Sequence, residues 1–162
     1  MCWFVDAAAE PGVRFPYLLC ALGRESEEGM SASTIDILLL IGRILYGGFF
    51  LMSGVNHFAR TNFYKQYTAS KGVPAPGLAV VGSGLLILLG GLSVLLGFWP
   101  HIGLLLVLLF LLGITPTIHN FWGVSDPIAK MGEQVNFMKN VALLGATLAM
   151  SAIPQPWPIS LG

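Results

Sequence analysis

The stretch Leu78-Ala79-Val80-Val81-Gly82-Ser83-Gly84-Leu85-Leu86-Ile87-Leu88-Leu89-Gly90-Gly91-Leu92-Ser93-Val94-Leu95-Leu96-Gly97-Phe98-Trp99 runs for 22 residues without a charge. A helix needs about 20 residues to cross a bilayer core of about 30 Å. This one has no polar face to turn toward water, so a soluble amphipathic helix does not account for it. Three further apolar runs lie around it: Leu38–Phe58, broken only by Arg43, Asn56 and His57; Ile102–Ile118; and Phe137–Ile153. The last two are slightly short and need flanking residues, or a locally thinner bilayer, to span. Leu104–Leu112 is apolar at every position, whereas a membrane barrel strand alternates between lipid and lumen. The expected fold is therefore all-α, a polytopic membrane protein built as a four-transmembrane-helix bundle.

The composition agrees. Charged residues make up 10% of the 162 residues and mean hydropathy is +0.76, against about 25% charged in soluble domains. A formal net charge of zero leaves no basic surplus for nucleic acid, so the expected surroundings are the lipid bilayer and other membrane subunits. By polarity, residues 1–34 read as an N-terminal extension, 35–154 as the membrane domain and 155–162 as a Pro-rich tail. Met30 stands just before the first apolar run, and residues 1–29 are read as dispensable or as an unused upstream start. Cys2 and Cys20 lie in that leader, none lies in the bundle, and no Cys-x-x-Cys pair exists for thiol–disulfide relay.

Small residues recur at helical spacing. Gly47 and Gly54, Gly84 and Gly91, and Gly90 and Gly97 each lie seven apart, about two turns, on one face. Ala142 with Ala146 and Gly145 with Ala149, each four apart, add small-xxx-small pairs on the fourth run. Such positions let backbones approach closely and are read as contacts within the bundle, with a homodimer seam as the competing reading.

Four crossings put both termini on the side of the Pro100–His101 break and the loops 59–77 and 119–136 on the other. The loop side carries Arg60, Lys65, Lys71, Lys130 and Lys139. The positive-inside rule places these loops in the cytoplasm and both termini outside, in a bacterial cytoplasmic (inner) membrane.

Polar residues inside the runs gather on that loop side. His57 and Asn56 end the first helix, and His119 and Asn120 end the third. Asn136, Lys139 and Asn140 open the fourth at i, i+3, i+4, on one face. Ionisable groups in lipid are costly and usually face a bundle interior. The candidate ligand-binding residues are His57, His119, Asn136, Lys139, Asn140 and Trp122. Mutual satisfaction of these groups is the alternative to a ligand. Two histidines without a carboxylate in the bundle make a poor metal set; Asp126 and Glu133 could come from the loop but nothing forces that, so no metal is expected. Arg43 is read as a structural intramembrane charge that snorkels outward or meets Asp36. Trp99, Trp122 and Trp157 read as interfacial residues. Pro116 is expected to kink the third helix, with Thr115 or Thr117 beside it.

Gly42-Arg43-Ile44-Leu45, Phe50 to Phe58, Tyr67 to Pro74, His119-Asn120-Phe121-Trp122 and Asn136-Phe137-Met138-Lys139-Asn140-Val141-Ala142-Leu143-Leu144-Gly145 together resemble the DoxX family of small membrane proteins. The resemblance runs from Ile41 to Met150. It implies a four-helix membrane bundle and, more loosely, an accessory or anchoring subunit of a quinone-linked membrane redox system. A quinone would be the cofactor. No catalytic constellation is evident, so any enzymatic role belongs to such an oxidoreductase complex. The absence of cysteine from the bundle argues against thiol handling. The other function class is a non-redox membrane scaffold, or a protein that binds or transports a small solute; the lack of an internal repeat weighs against an ordinary secondary transporter.

Overall fold

A computed structural model describes residues 32–161. The reading of the leader, with Met30, Cys2 and Cys20, falls outside them. The chain divides into two compact units at Leu38 and Leu39. The described part of the first, residues 32–38, is helical with Ile35, Ile37 and Leu38 exposed. The hydrophobic core lies in the second unit, whose described residues are 39–161.

Among the described residues all regular structure is helical: α1 (Ala32–Ala59), α2 (Thr61–Ser70), α3 (Pro76–Leu96), α4 (Pro100–Ile118), a 3₁₀ turn (Phe121–Gly123) and α5 (Pro127–Ser151). Three stretches, Ser33–Ala59, Pro76–Leu96 and Pro100–Gly123, are long and apolar enough to cross a membrane. α5 is not among them, because its first half carries Lys130, Glu133, Asn136 and Lys139. Of the four crossings expected, three stand on length and composition.

The seam between α1 and α3 is made of glycine. A Cβ built on Gly91 would lie 2.5 Å from the Leu51 nitrogen and 2.8 Å from the Gly47 carbonyl oxygen; one on Gly54 would lie 2.8 Å from the Leu88 Cα. Of the heptad-spaced glycines, Gly47, Gly54, Gly90 and Gly91 therefore serve backbone contact within one bundle, whereas Gly84 and Gly97 make room for side chains. At the hairpin between α3 and α4, a Cβ on Gly90 would meet the Gly103 carbonyl oxygen at 2.9 Å. The fourth-run pairs behave differently. Of Ala142, Gly145, Ala146 and Ala149, only Ala146 packs on the core, and Gly145 faces open space.

Helix ends fall where local chemistry puts them. The break between α3 and α4 is Gly97–Trp99 rather than Pro100–His101. The Phe98 N–H donates to the Ser93 carbonyl at 3.1 Å and the Gly97 N–H to the Val94 carbonyl at 3.3 Å, with Gly97 at φ +69°. This is a Schellman ending, and Pro100 then opens α4 at a position where no N–H is needed. α4 continues through Pro116, flanked by Thr115 and Thr117, whose hydroxyls donate to the Leu111 and Gly113 carbonyls at 2.6 Å each. α5 starts ten residues before the apolar run, at Pro127, because Asp126 caps it by accepting from the Ala129 N–H at 2.7 Å.

The core is Tyr46, Phe50, Ile87, Val94, Leu104, Val107, Leu111 and Trp157. Tyr46 and Thr147 share a hydrogen bond between α1 and α5. Trp157, expected at an interface, is 2% exposed, whereas Trp99 and Trp122 are 63% and 59% exposed. The tail turns back over the hairpin end of α3 and brings Trp157 under Arg43, whose guanidinium carbon lies 5.7 Å from the ring centroid. Arg43 neither snorkels nor needs a carboxylate. Its Nε donates to the Val94 carbonyl (3.2 Å), Nη2 to Leu95 (3.1 Å), and Nη1 to Pro158 (2.8 Å) and Ile159 (3.2 Å).

Candidate functional site

The segment 59–77, expected as a loop, contains α2. Tyr64, Tyr67, Thr68 and Lys71 recur at helical spacing along it, and that face turns to the bundle. The His57 ring stacks on Tyr64 with centroids 4.4 Å apart and planes 9° apart. Thr68 is buried.

Beneath α2 lies a cavity of about 470 Å³, lined by His57, Tyr64, Tyr67, Val80, Leu86, Phe110, Ile114 and His119, among others. Its floor is aromatic: Phe110 packs on Phe50 at 6.4 Å and on His57 at 6.3 Å. Leu78 and Gly82 of α3 and Leu109, Gly113 and Thr117 of α4 line it as well, and all five are exposed. The mouth therefore opens sideways between α3 and α4, on the surface of the apolar helices. Added Cβ atoms at Gly82 and Gly113 would meet nothing within 4 Å. The two helices touch through Gly90 and Gly103 at the hairpin.

Each histidine is oriented by an acceptor at Nδ1. In His57 that acceptor is the Ser53 carbonyl, one turn back in its own helix, at 2.9 Å. In His119 it is Glu133 Oε2 at 2.8 Å. Glu133 also accepts at Oε1 from the Tyr67 hydroxyl (2.7 Å) and from Lys71 Nζ (2.5 Å). One carboxylate thus ties α2, the end of α4 and α5 together around the cavity's polar edge. Its side chain is 12% exposed. Burial alone would raise the Glu133 carboxyl, but the Lys71, His119 and Tyr67 donors outweigh it and hold the group down from 4.5 to about 2. The Tyr67 hydroxyl moves up, first through burial and then through the Glu133 hydrogen bond and charge.

A depressed carboxyl stabilises the fold fully above its ordinary value and loses that contribution as pH falls through the folded value. Glu133→Gln is therefore expected to lower Tm by a few degrees at neutral pH. The gap to wild type should close as pH falls from 4.5 toward 2. Differential scanning fluorimetry in detergent reads both; a gap independent of pH would show that the charge is not what matters.

Of the residues singled out from sequence, His57 and His119 line one cavity. The rest lie elsewhere. Lys139 is exposed and donates to Asn136 Oδ1 at 3.1 Å. Asn140 is buried on the face that carries Thr147, seven residues on. Trp122 packs on Phe121 and Phe137, at 5.3 Å and 5.8 Å between centroids. Tyr64, Tyr67 and Lys71 were missed, and Glu133 was weighed only as a carboxylate from a loop, although it precedes Asn136 and Asn140 by three and seven residues and so shares their face. No cluster of three or more metal-ligating side chains occurs among the described residues.

The sequence model of the DoxX family matches residues 38–120. The inner membrane protein YphA of Escherichia coli (strain K12) is 32% identical over 125 residues, which cover 77% of this chain and 88% of that protein. The chain belongs to the DoxX family. No solved structure matches it. The DoxX match contains both cavity histidines, Arg43 and the glycines of the α1–α3 seam, and it stops before Glu133.

Proposed function

We propose that this DoxX membrane protein binds a lipid-soluble quinone in the cavity between α3 and α4, as an accessory or anchoring subunit of a quinone-linked system in the inner membrane. One observation carries the reading: an apolar cavity that opens sideways on the apolar helix surface and holds two oriented imidazoles. A water-soluble solute would need a mouth toward water, whereas a ring on an apolar tail reaches this one from the bilayer. The volume suits a single ring with the start of its tail, within the usual range of about 300–1,000 Å³ for ligand sites. Quinone extracted with organic solvent from the purified protein should co-purify with wild type and be lost from Gly113→Leu, whose side chain would fill the mouth. Equal quinone content in the two proteins would sink the proposal.

The fourth crossing and the orientation belong to the same proposal. His119 meets Glu133 at one end of α4, and His101 Nε2 donates to the Ser151 carbonyl at 3.1 Å at the other. α5 thus runs antiparallel to α4 for the length of a span, and its apolar part from Phe137 crosses with it. The positive-inside rule then supports a cytoplasmic position for α2 and the start of α5. In a Cys2→Ser, Cys20→Ser background, cysteines at the exposed Gln66 and Ser125 should resist an impermeant maleimide in intact cells. Ready labelling at both would reverse the orientation.

A further inference from the structure

The tautomers of the two histidines bear on what the cavity recognises, given its reading as a ring-binding site. A carbonyl oxygen only accepts hydrogen bonds, so His57 Nδ1, at 2.9 Å from the Ser53 carbonyl, carries a hydrogen. The uncharged ring then has a bare Nε2, an acceptor without a proton to give. The stack on Tyr64 fixes the ring plane, and the helix behind Nδ1 keeps that nitrogen from the cavity that His57 lines. Among the described residues the only carboxylate paired with a histidine is Glu133, on His119. That carboxylate supports both the neutral ring and the imidazolium, so His119 Nε2 serves as acceptor or donor. The two edges of the cavity are therefore unequal: His57 accepts, and His119 does either.

We propose that the cavity selects the hydroxylated, reduced form of its ring ligand, a phenol or hydroquinone whose hydroxyl donates to His57 Nε2, over a ring bearing only carbonyls. A quinone carbonyl facing His57 would set acceptor against acceptor. A hydroquinone hydroxyl meets it correctly, and its second hydroxyl is accommodated at His119 as either partner.

The test measures binding of three ligands to the purified full chain in detergent, without oxygen and near neutral pH: a decyl benzohydroquinone, its dimethyl ether and the matching benzoquinone. The ether keeps ring and tail and loses the donors. Wild type should bind the hydroquinone about tenfold more tightly than either of the others, the scale of one well-placed hydrogen bond with its mismatch removed. His57→Phe keeps a ring on Tyr64 and should bind all three alike. Equal binding of hydroquinone and ether by wild type, tighter binding of the quinone, or a preference that survives His57→Phe overturns the inference while leaving a ring site in the cavity. Failure of all three to bind, or binding of all three undiminished by Gly113→Leu, overturns the cavity reading itself.

Discussion

A valine at Gly91 is expected to prevent the protein from folding as a monodisperse particle. Its Cβ would stand 2.5 Å from the Leu51 nitrogen, 2.8 Å from the Gly47 carbonyl oxygen and 3.0 Å from the Phe50 carbonyl carbon. All three are backbone atoms, so no rotamer change gives way and α1 must move off α3. Overpacking a core costs about 1–3 kcal/mol when side chains adjust. Here helices must separate, and the core between them, with Phe50 at 1% and Ile87 at 0% exposure, opens too. Gly91→Val should aggregate on size-exclusion chromatography or lose at least 10 °C or so in Tm. Gly113→Val, a similar change where no atom lies within 4 Å of the added Cβ, should fold like wild type. Wild-type Tm for Gly91→Val would show that the seam is not close-packed in the membrane.

The glycine spacing was readable because it depends only on helical periodicity within an apolar run, and the runs declare themselves by length. What escaped were features fixed by groups far apart in sequence. α2 was read as a loop because its helix is short and polar; no span-length signal applies to ten residues, and only the spacing of Tyr64, Tyr67 and Lys71 betrays a face. Glu133 was assigned to a loop because α5 begins outside the apolar run, where a cap and a proline rather than hydrophobicity set the start. His57 and His119 were grouped because each closes an apolar run on the same side, and both line the one cavity. Lys139 and Asn136 were grouped with them on the same logic, yet Lys139 is exposed and its ammonium donates to the half-buried Asn136 rather than to the cavity. Sharing a membrane side is a weaker constraint than sharing an interior face. The acceptor character of His57 rests on its Ser53 contact, four residues back, which periodicity permits but does not require.

Arg43→Met should loosen the tail before it unfolds the bundle. The guanidinium is 1% exposed and donates to four carbonyls, two at the end of α3 and two in the tail. Those of Val94 and Leu95 belong to the last turn of α3, where the Gly97 N–H reaches only the Val94 carbonyl of the two and the helix dipole favours a cation. A positive charge in an apolar setting is tolerated here because every contact is an oxygen dipole, and Trp157 offers its ring face beneath. The site also explains Gly97: a Cβ there would fall 2.5 Å from Arg43 Nη2. Methionine fills much of the volume and donates nothing, so about 3–5 kcal/mol should be lost, counting charged hydrogen bonds and carbonyls left bare. That is roughly a 10 °C fall in Tm. Arg43→Lys should lie between the two, because one ammonium cannot reach carbonyls on both segments with the geometry of a planar fork. Hydrogen exchange supplies the more specific readout. The Leu161 amide, bonded to the Leu96 carbonyl at 3.1 Å, should lose protection in Arg43→Met while amides in the middle of α4 keep theirs. Unchanged protection at Leu161 would mean that the buried Trp157 alone holds the tail, and that Arg43 is retained for something other than this tie.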